Sequence, residues 1–154
     1  MTFVINSPAF SHNELIPPRY ACDGSNFSPP LIWAGAPEAT KSFALIVSDA
    51  DAPSGTWYHW AIYDLPPHTA KLPEHAKASG LGPGVHEAVN DFGKPGYGGP
   101  CPPVGHGVHR YRFRLLALDV TKLGLAIKAT ARQVEAQVQE HCLAEADLVG
   151  TYSR

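Results

Sequence analysis

The stretch from Gly93 to Phe113, GKPGYGGPCPPVGHGVHRYRF, constrains the fold more than any other part of the chain. It holds six glycines, four prolines, one cysteine and two histidines before becoming the strand pattern His109-Arg110-Tyr111-Arg112-Phe113. Glycine allows positive φ and close backbone approach, while proline fixes φ and removes a donor. A segment that uses both so heavily is a shaped, rigid loop. Rigid loops loaded with reactive side chains are where sites usually sit. The plainer reading is a turn bracing a sheet corner.

The chain of 154 residues carries 15 prolines, 14 glycines, three tryptophans and six tyrosines, a composition for a loop-rich β architecture rather than a helical bundle. Its length suits a single domain, residues 1–154, with one hydrophobic core. Net charge is −2, which gives no basic footprint for nucleic acid. No run of apolar residues is long enough to span a bilayer, and the N-terminal residues have neither a basic nor an apolar targeting region. These absences lead to an expectation of a cytoplasmic protein with no integral membrane part. Cys22, Cys101 and Cys142 make an odd, widely spaced set. They form no disulfide framework and no zinc motif, though a single bridge stays open.

In chain order, Thr2 to Ile5 reads as a short strand and Leu31 to Trp33 as another. Between them, residues 11–30 make a long polar connection, of a kind that is uncommon unless it serves a site or packs on a sheet. Ser42 to Ser48 is apolar on both faces and therefore central. It runs into Asp49 and Asp51. Trp57 to Leu65 is the next strand; strict alternation places Trp57, His59, Ala61 and Tyr63 on one face. His109 to Asp119 puts His109, Tyr111, Phe113, Leu115 and Ala117 on one face, and Arg110, Arg112 and Arg114 on the other. The arginines read as a solvated face or one with carboxylate partners. Thr130 to Leu143 reads as a helix opened by a capping box from Thr130 to Gln133, and Ala146 to Tyr152 as the last strand.

Two strand-to-loop junctions carry the chemistry: Asp49 and Asp51 with His59, and Cys101 with His109 and Tyr111. Brought together, they combine carboxylates, imidazoles and a phenol around a glycine-rich rim whose N–H groups can cradle an anion. In this reading His59, His109 and Tyr111 donate to a phosphate or carboxylate, and Asp49 or Asp51 orients one imidazole. Pro53, Trp57 and Pro102-Pro103 supply apolar walls. Two hydrolase readings use the same residues. One places zinc on His59, His106, His109 and an aspartate; the other makes Cys101 a nucleophile with His109 or His59 as base. The metal reading lacks a motif-grade spacing. The thiol reading is weakened by Pro100, which offers no N–H for an oxyanion hole.

At these residues the chain resembles the phosphatidylethanolamine-binding protein family, also called Raf kinase inhibitor-like proteins, and most of all its small bacterial branch. Asp49-Ala50-Asp51-Ala52-Pro53-Ser54-Gly55 with His59-Trp60 is similar to the family's first block. Gly98-Gly99-Pro100-Cys101-Pro102-Pro103, followed by Gly105, Gly107 and His109-Arg110-Tyr111, is similar to its second. Ile16-Pro17, Cys22-Asp23-Gly24, Ser28-Pro29-Pro30-Leu31 and Leu148 to Tyr152 extend the likeness over nearly the whole chain.

The resemblance implies a mainly β fold: a large antiparallel sheet, a smaller second sheet and one or two peripheral helices. It also implies a small anion pocket lined by Asp49, Asp51, Ala52, Pro53, Trp57, His59, Cys101, Pro102, His109 and Tyr111. No catalytic reaction, metal or cofactor goes with that pocket. The partners implied are a phosphate-bearing or other small anion and a protein, such as a kinase or protease, that is inhibited or modulated. Bacterial members are often homodimers, so a homodimer is expected. Three departures matter. Ala50 stands where the family block has proline. Cys101 stands where many eukaryotic members have glycine, which implies a narrower pocket holding a thiol. Nothing past Tyr152 matches the C-terminal helix of the mammalian proteins.

Overall fold

A strand that is apolar on both faces has to be covered on both. In the computed structural model, which describes residues 2–154, Ser42–Asp49 is such a strand and lies inside a three-layer stack. In chain order the strands are β1 (Val4–Asn6), β2 (Glu14–Leu15), β3 (Leu31–Ala34), β4 (Ser42–Asp49), β5 (Trp57–Leu65), β6 (Lys71–Leu72), β7 (His86–Glu87), β8 (His109–Leu118) and β9 (Cys142–Tyr152). The helices are α1 (Ala78–Leu81) and α2 (Ala131–Val138), with a 3-10 turn at Pro18–Tyr20. No helix among the described residues is long and apolar enough to cross a membrane.

The larger sheet has six strands in the order β2-β9-β8-β4-β5-β7, and the smaller has three in the order β1-β3-β6. Phe43, Leu45 and Val47 of β4 join Tyr111, Phe113 and Leu115 of β8 in a core shared with Ile5, Leu31, Trp33 and Leu72 of the small sheet. Ala44 and Ile46, on the other face, pack with Leu116 and Leu118 under Ala131, Val134 and Val138 of α2. Alternation along β4 and β8 thus sends one set of side chains to each layer.

The large sheet is antiparallel except at its edge, where β2 runs parallel to β9 and Glu14 faces Gly150. A side chain at position 150 would run into Ile16 and Phe10, so glycine there lets the N-terminal segment lie flat on β9. β8 pairs along its whole length with β9, from His109 opposite Tyr152 to Leu118 opposite Cys142. That ladder corrects the helix boundary read from the sequence. α2 keeps the Thr130–Gln133 capping box but ends at Val138, and Cys142 and Leu143 leave the helical pattern to open β9. Strand pairing outweighs local helix preference over these residues.

A second correction concerns β5. The β4–β5 register slips between Val47 and Ser48, which pair with Trp60 and Tyr58 and skip His59. His59 and Trp60 therefore both lie on the face toward the larger core, where Trp60 and Ile62 are buried. Tyr58, Ala61 and Tyr63 lie on the α2 face instead. Strict alternation put Ala61 and Tyr63 with His59; the bulge breaks that parity. Bulges of this kind re-aim a side chain next to a site.

Candidate functional site

At one end of β4, β5 and β8 a cavity of about 200 Å³ opens to the surface. β4 and the loop after it bring Asp49, Ala52 and Pro53 to its wall, and β5 brings Trp57 and His59. Phe92, Cys101, Pro102 and Pro103 come from the long connection to β8, and His109 and Tyr111 from β8 itself. The structure thus gathers nine of the ten residues that the resemblance implies: Asp51 is missing from this wall, Pro103 lines it as the apolar-wall reading expects, and Phe92 joins it.

The two aspartates part ways at the end of β4. Asp49 is buried, and its Oδ2 accepts from His109 Nδ1–H at 2.6 Å while its Oδ1 accepts from the Asp51 amide at 2.8 Å. β4 and β8 are direct neighbours, with Asp49 opposite Tyr111, so the carboxylate reaches His109 across the ladder. Asp51 turns outward. It accepts from the Arg110 amide at 2.9 Å and from the Arg110 guanidinium at 3.1 and 2.9 Å. Hydrogen bonding from Arg110 holds the Asp51 carboxyl below the usual carboxylate range. Asp51 therefore anchors the rim, and Asp49 is the carboxylate that fixes an imidazole. On the same outer face Arg112 pairs with Asp147 at 3.0 Å and Arg114 with Glu135 at 3.4 Å, which gives the arginine stripe carboxylate partners.

His59 is 3% exposed. Its Nδ1–H donates to the Gly98 carbonyl at 2.6 Å, and the Gly98 amide donates back to the His59 carbonyl at 2.9 Å. A carbonyl only accepts, so the proton sits on Nδ1. Burial lowers the pKa of the ring, against the smaller opposing pull of Gly98 and Asp49, so His59 is held neutral. Its remaining nitrogen, Nε2, is then an acceptor. This corrects the donor role read for His59 from the sequence. His59 stands edge-on to Tyr111 and to Phe92, with ring centroids 5.2 and 5.3 Å away. Phe92 also meets Trp57 edge-on at 5.5 Å.

Tyr111 is 1% exposed, and its hydroxyl is buried without a hydrogen-bond partner among the described residues. Burial pushes the phenol's pKa up, followed by the charge of Asp49 and the closeness of its carboxylate, which stands near the hydroxyl without meeting it in hydrogen-bond geometry, so the group is a neutral O–H. Buried polar groups are nearly always paired. An orphan hydroxyl that lines a cavity is the kind of group a ligand satisfies.

The rim is set by a partner that the sequence did not single out. Cys101 is bonded to Cys22 as a disulfide, with Cα atoms 5.4 Å apart. The expected pocket thiol is therefore half of a cystine, and its sulfur is not free to act as a nucleophile; Cys142 is the free cysteine. The bond forms because the long 11–30 connection folds back onto the rim. The Cys22 amide donates to the Pro100 carbonyl at 3.0 Å, Gly99 N–H to Asn26 Oδ1 at 2.8 Å, and the Tyr97 hydroxyl to the Tyr20 carbonyl at 2.7 Å. A Cβ on Gly99 would collide with the Tyr20 carbonyl oxygen, so this approach demands glycine. The length of the 11–30 loop was the available signal for that role. Phe92 is placed by Asn90, whose Oδ1 accepts from the Phe92 amide at 2.9 Å and whose Nδ2 donates to Gly96 at 2.9 Å. An Asn-led turn just before the glycine-rich stretch was its only trace in the sequence.

No group of three or more His, Cys, Asp or Glu side chains among the described residues is placed to hold a metal ion. His106 and His109 face each other nitrogen to nitrogen rather than converging on a common point.

A model of the family described as phosphatidylethanolamine-binding protein matches residues 6–153. A UPF0098 protein of Aquifex aeolicus is 47% identical over 148 residues, covering 96% of this chain and 86% of that protein. A UPF0098 protein of Methanothermobacter thermautotrophicus is 48% identical over 151 residues, 97% of this chain and 98% of the other. The crystal structure of Escherichia coli YbcL, described as a new member of the mammalian PEBP family, superposes with a TM-score of 0.94 at 33% identity. The match covers 100% of this chain and 99% of YbcL. A homolog from Chlamydia trachomatis, CT736, gives 0.88 at 37% identity over 99% and 98% of the two chains.

Proposed function

The chain belongs to the phosphatidylethanolamine-binding protein family, and we propose that it is a non-enzymatic binding module whose pocket takes a phosphate group or a similar small oxyanion. The observation that carries this reading is the Tyr111 hydroxyl, buried, unpartnered and set on the cavity wall beside His109. His109 has Nδ1 committed to Asp49, which leaves Nε2 as its one nitrogen for a ligand, and there it meets His106 Nδ1 at 2.6 Å. In this reading Tyr111 and His109 Nε2 donate, and neutral His59 accepts. Two donors and one acceptor fit an oxyanion that still carries a hydrogen, such as a hydrogenphosphate or a singly protonated phosphomonoester.

The cavity, at about 200 Å³, lies below the usual range for drug-sized ligands, which suits a headgroup or a free anion rather than a lipid tail. We extend the proposal to a protein partner, a kinase or protease modulated according to pocket occupancy, and to a homodimer. Both come from the family alone. Light scattering tests the dimer. Placement in the cytoplasm rests on sequence alone, and the Cys22–Cys101 bond counts against a reducing compartment. Trapping of free thiols in fresh lysate decides between them.

The direct test of the pocket is calorimetric titration of metal-stripped protein with inorganic phosphate and with small phosphomonoesters, wild type beside His109→Ala. Circular dichroism checks that the variant is folded. Saturable binding that disappears in His109→Ala is expected. Absence of binding to every anion in the wild type would overturn the reading.

A further inference from the structure

The loop entering β8 brings a third imidazole to the site. His106 Nδ1 lies 2.6 Å from His109 Nε2, with ring centroids 4.8 Å apart. His109 Nδ1–H is already given to Asp49, so Nε2 is the one nitrogen that His109 has for a ligand, and His106 covers it. Two ring nitrogens at this separation share a single proton. With a proton on each they are two donors and repel; with none they are two lone pairs and repel.

His106 is exposed, whereas His109 is 2% exposed and paired in the sheet with Tyr152. Gly105 and Gly107 flank His106 with φ of 78° and 102°, and a Cβ on either would touch nothing within 4 Å. The loop is tied by Gly105 N–H to the Arg154 main-chain oxygen at 2.9 Å and by His106 N–H to the Pro103 carbonyl at 3.1 Å. A side chain on so open a turn can swing away while β8 stays in place.

We propose that His106 is the gate of the oxyanion site: it caps His109 Nε2 until an incoming oxyanion displaces it, and the exchange takes up a proton. The inference rests on the oxyanion reading given above. In the capped pair with both rings neutral, His109 keeps its proton on Nδ1 and His106 donates from Nδ1. After displacement His109 carries a proton on each nitrogen, one toward Asp49 and one toward the ligand, while neutral His106 keeps its own. The extra proton comes from solvent or from the ligand's own P–OH.

The charged and titratable groups around the pair fit this exchange. Asp49 on β4 accepts from His109 Nδ1–H behind the pair, and His59 on β5 is neutral. Tyr111 on β8 is a neutral phenol. The Arg154 guanidinium is held by the Pro102 carbonyl and Asp23, and Arg110 is held by Asp51. Acid favours ligand capture, because two protonated rings cannot form the cap.

The test is calorimetry with inorganic phosphate on wild type, His106→Ala and His106→Gln, at about pH 8 and about pH 5.5, on either side of the ordinary imidazole range. The ligand's own titration is common to the three proteins and cancels from their ratios. At the higher pH His106→Ala is expected to bind about fivefold to tenfold tighter than wild type, the loss of one capping hydrogen bond. At the lower pH the wild type equals or exceeds it. Gln caps without titrating, so His106→Gln stays weaker than His106→Ala at both values. Equal affinities throughout, or weaker binding by His106→Ala at the higher pH, overturn the gate and leave the oxyanion site standing. No phosphate binding by any of the three proteins overturns the oxyanion reading and the gate with it.

Discussion

Cys22 and Cys101, 79 residues apart in the sequence, are joined directly at the wall of the pocket. One belongs to the loop after the first strands, the other to the glycine- and proline-rich rim. The bond makes the 11–30 segment the outer support of the site: Asn26, Tyr20 and Asp23 all reach the rim or the C-terminal strand from it.

Reduction of this bond is expected to lower the stability of the fold by roughly 4 kcal/mol, the loop-closure value for a ring of this size. Urea denaturation with and without reductant measures it. Cys22→Ala in non-reducing buffer should show the same loss, and no shift of the midpoint in either case would refute the supporting role.

Tyr111→Phe separates stability from binding. Removing a buried hydroxyl that has no partner is expected to raise stability by about 1 kcal/mol. The same change removes a donor from the proposed oxyanion site, so affinity for inorganic phosphate should fall about fivefold to tenfold. Thermal melts and calorimetry read the two effects on one preparation. A variant that is less stable than wild type would mean that the hydroxyl is satisfied in solution.

His59 gives the acid limb of the stability curve. Its folded-state pKa lies below the ordinary histidine value because burial disfavours the charged ring. The unfolded chain therefore binds the proton first, and the stability His59 contributes is present above about pH 6.5 and is lost as pH falls below it. One such group gives a slope of at most about 1.4 kcal/mol per pH unit. His59→Asn, which keeps a donor toward the Gly98 carbonyl, should flatten the slope between about pH 6.5 and pH 5. An unchanged slope in the variant would assign the acid sensitivity to other groups.

Much of the architecture was legible because β4, β5 and β8 are long, apolar runs whose alternation declares two covered faces. The pocket was legible because its residues sit at the ends of those runs, where strand geometry places them. What escaped has physical reasons. The His59–Trp60 bulge depends on how β5 pairs with β4, and no local pattern announces it. β2, β6 and β7 are each two residues long and exist only through their partners. The Asp49–Asp51 divergence turns on Arg110, 59 residues downstream of Asp51. The disulfide required knowing that a long polar loop folds back. Proximity of residues far apart in sequence is what strand periodicity cannot supply.

The contact between Asp49 and His109 spans 60 residues, and β8 reaches β4 only after the whole intervening connection has found its path. Pairing of this kind is slow, on the order of milliseconds to seconds, because loop closure precedes any reward from the contact. A refolding chain that has formed the β4–β5 hairpin already holds Trp57 and His59, yet has no oriented His109. The complete cavity wall is thus among the last features the molecule acquires on the way to its native state and, when β8 separates from β4, among the first it gives up.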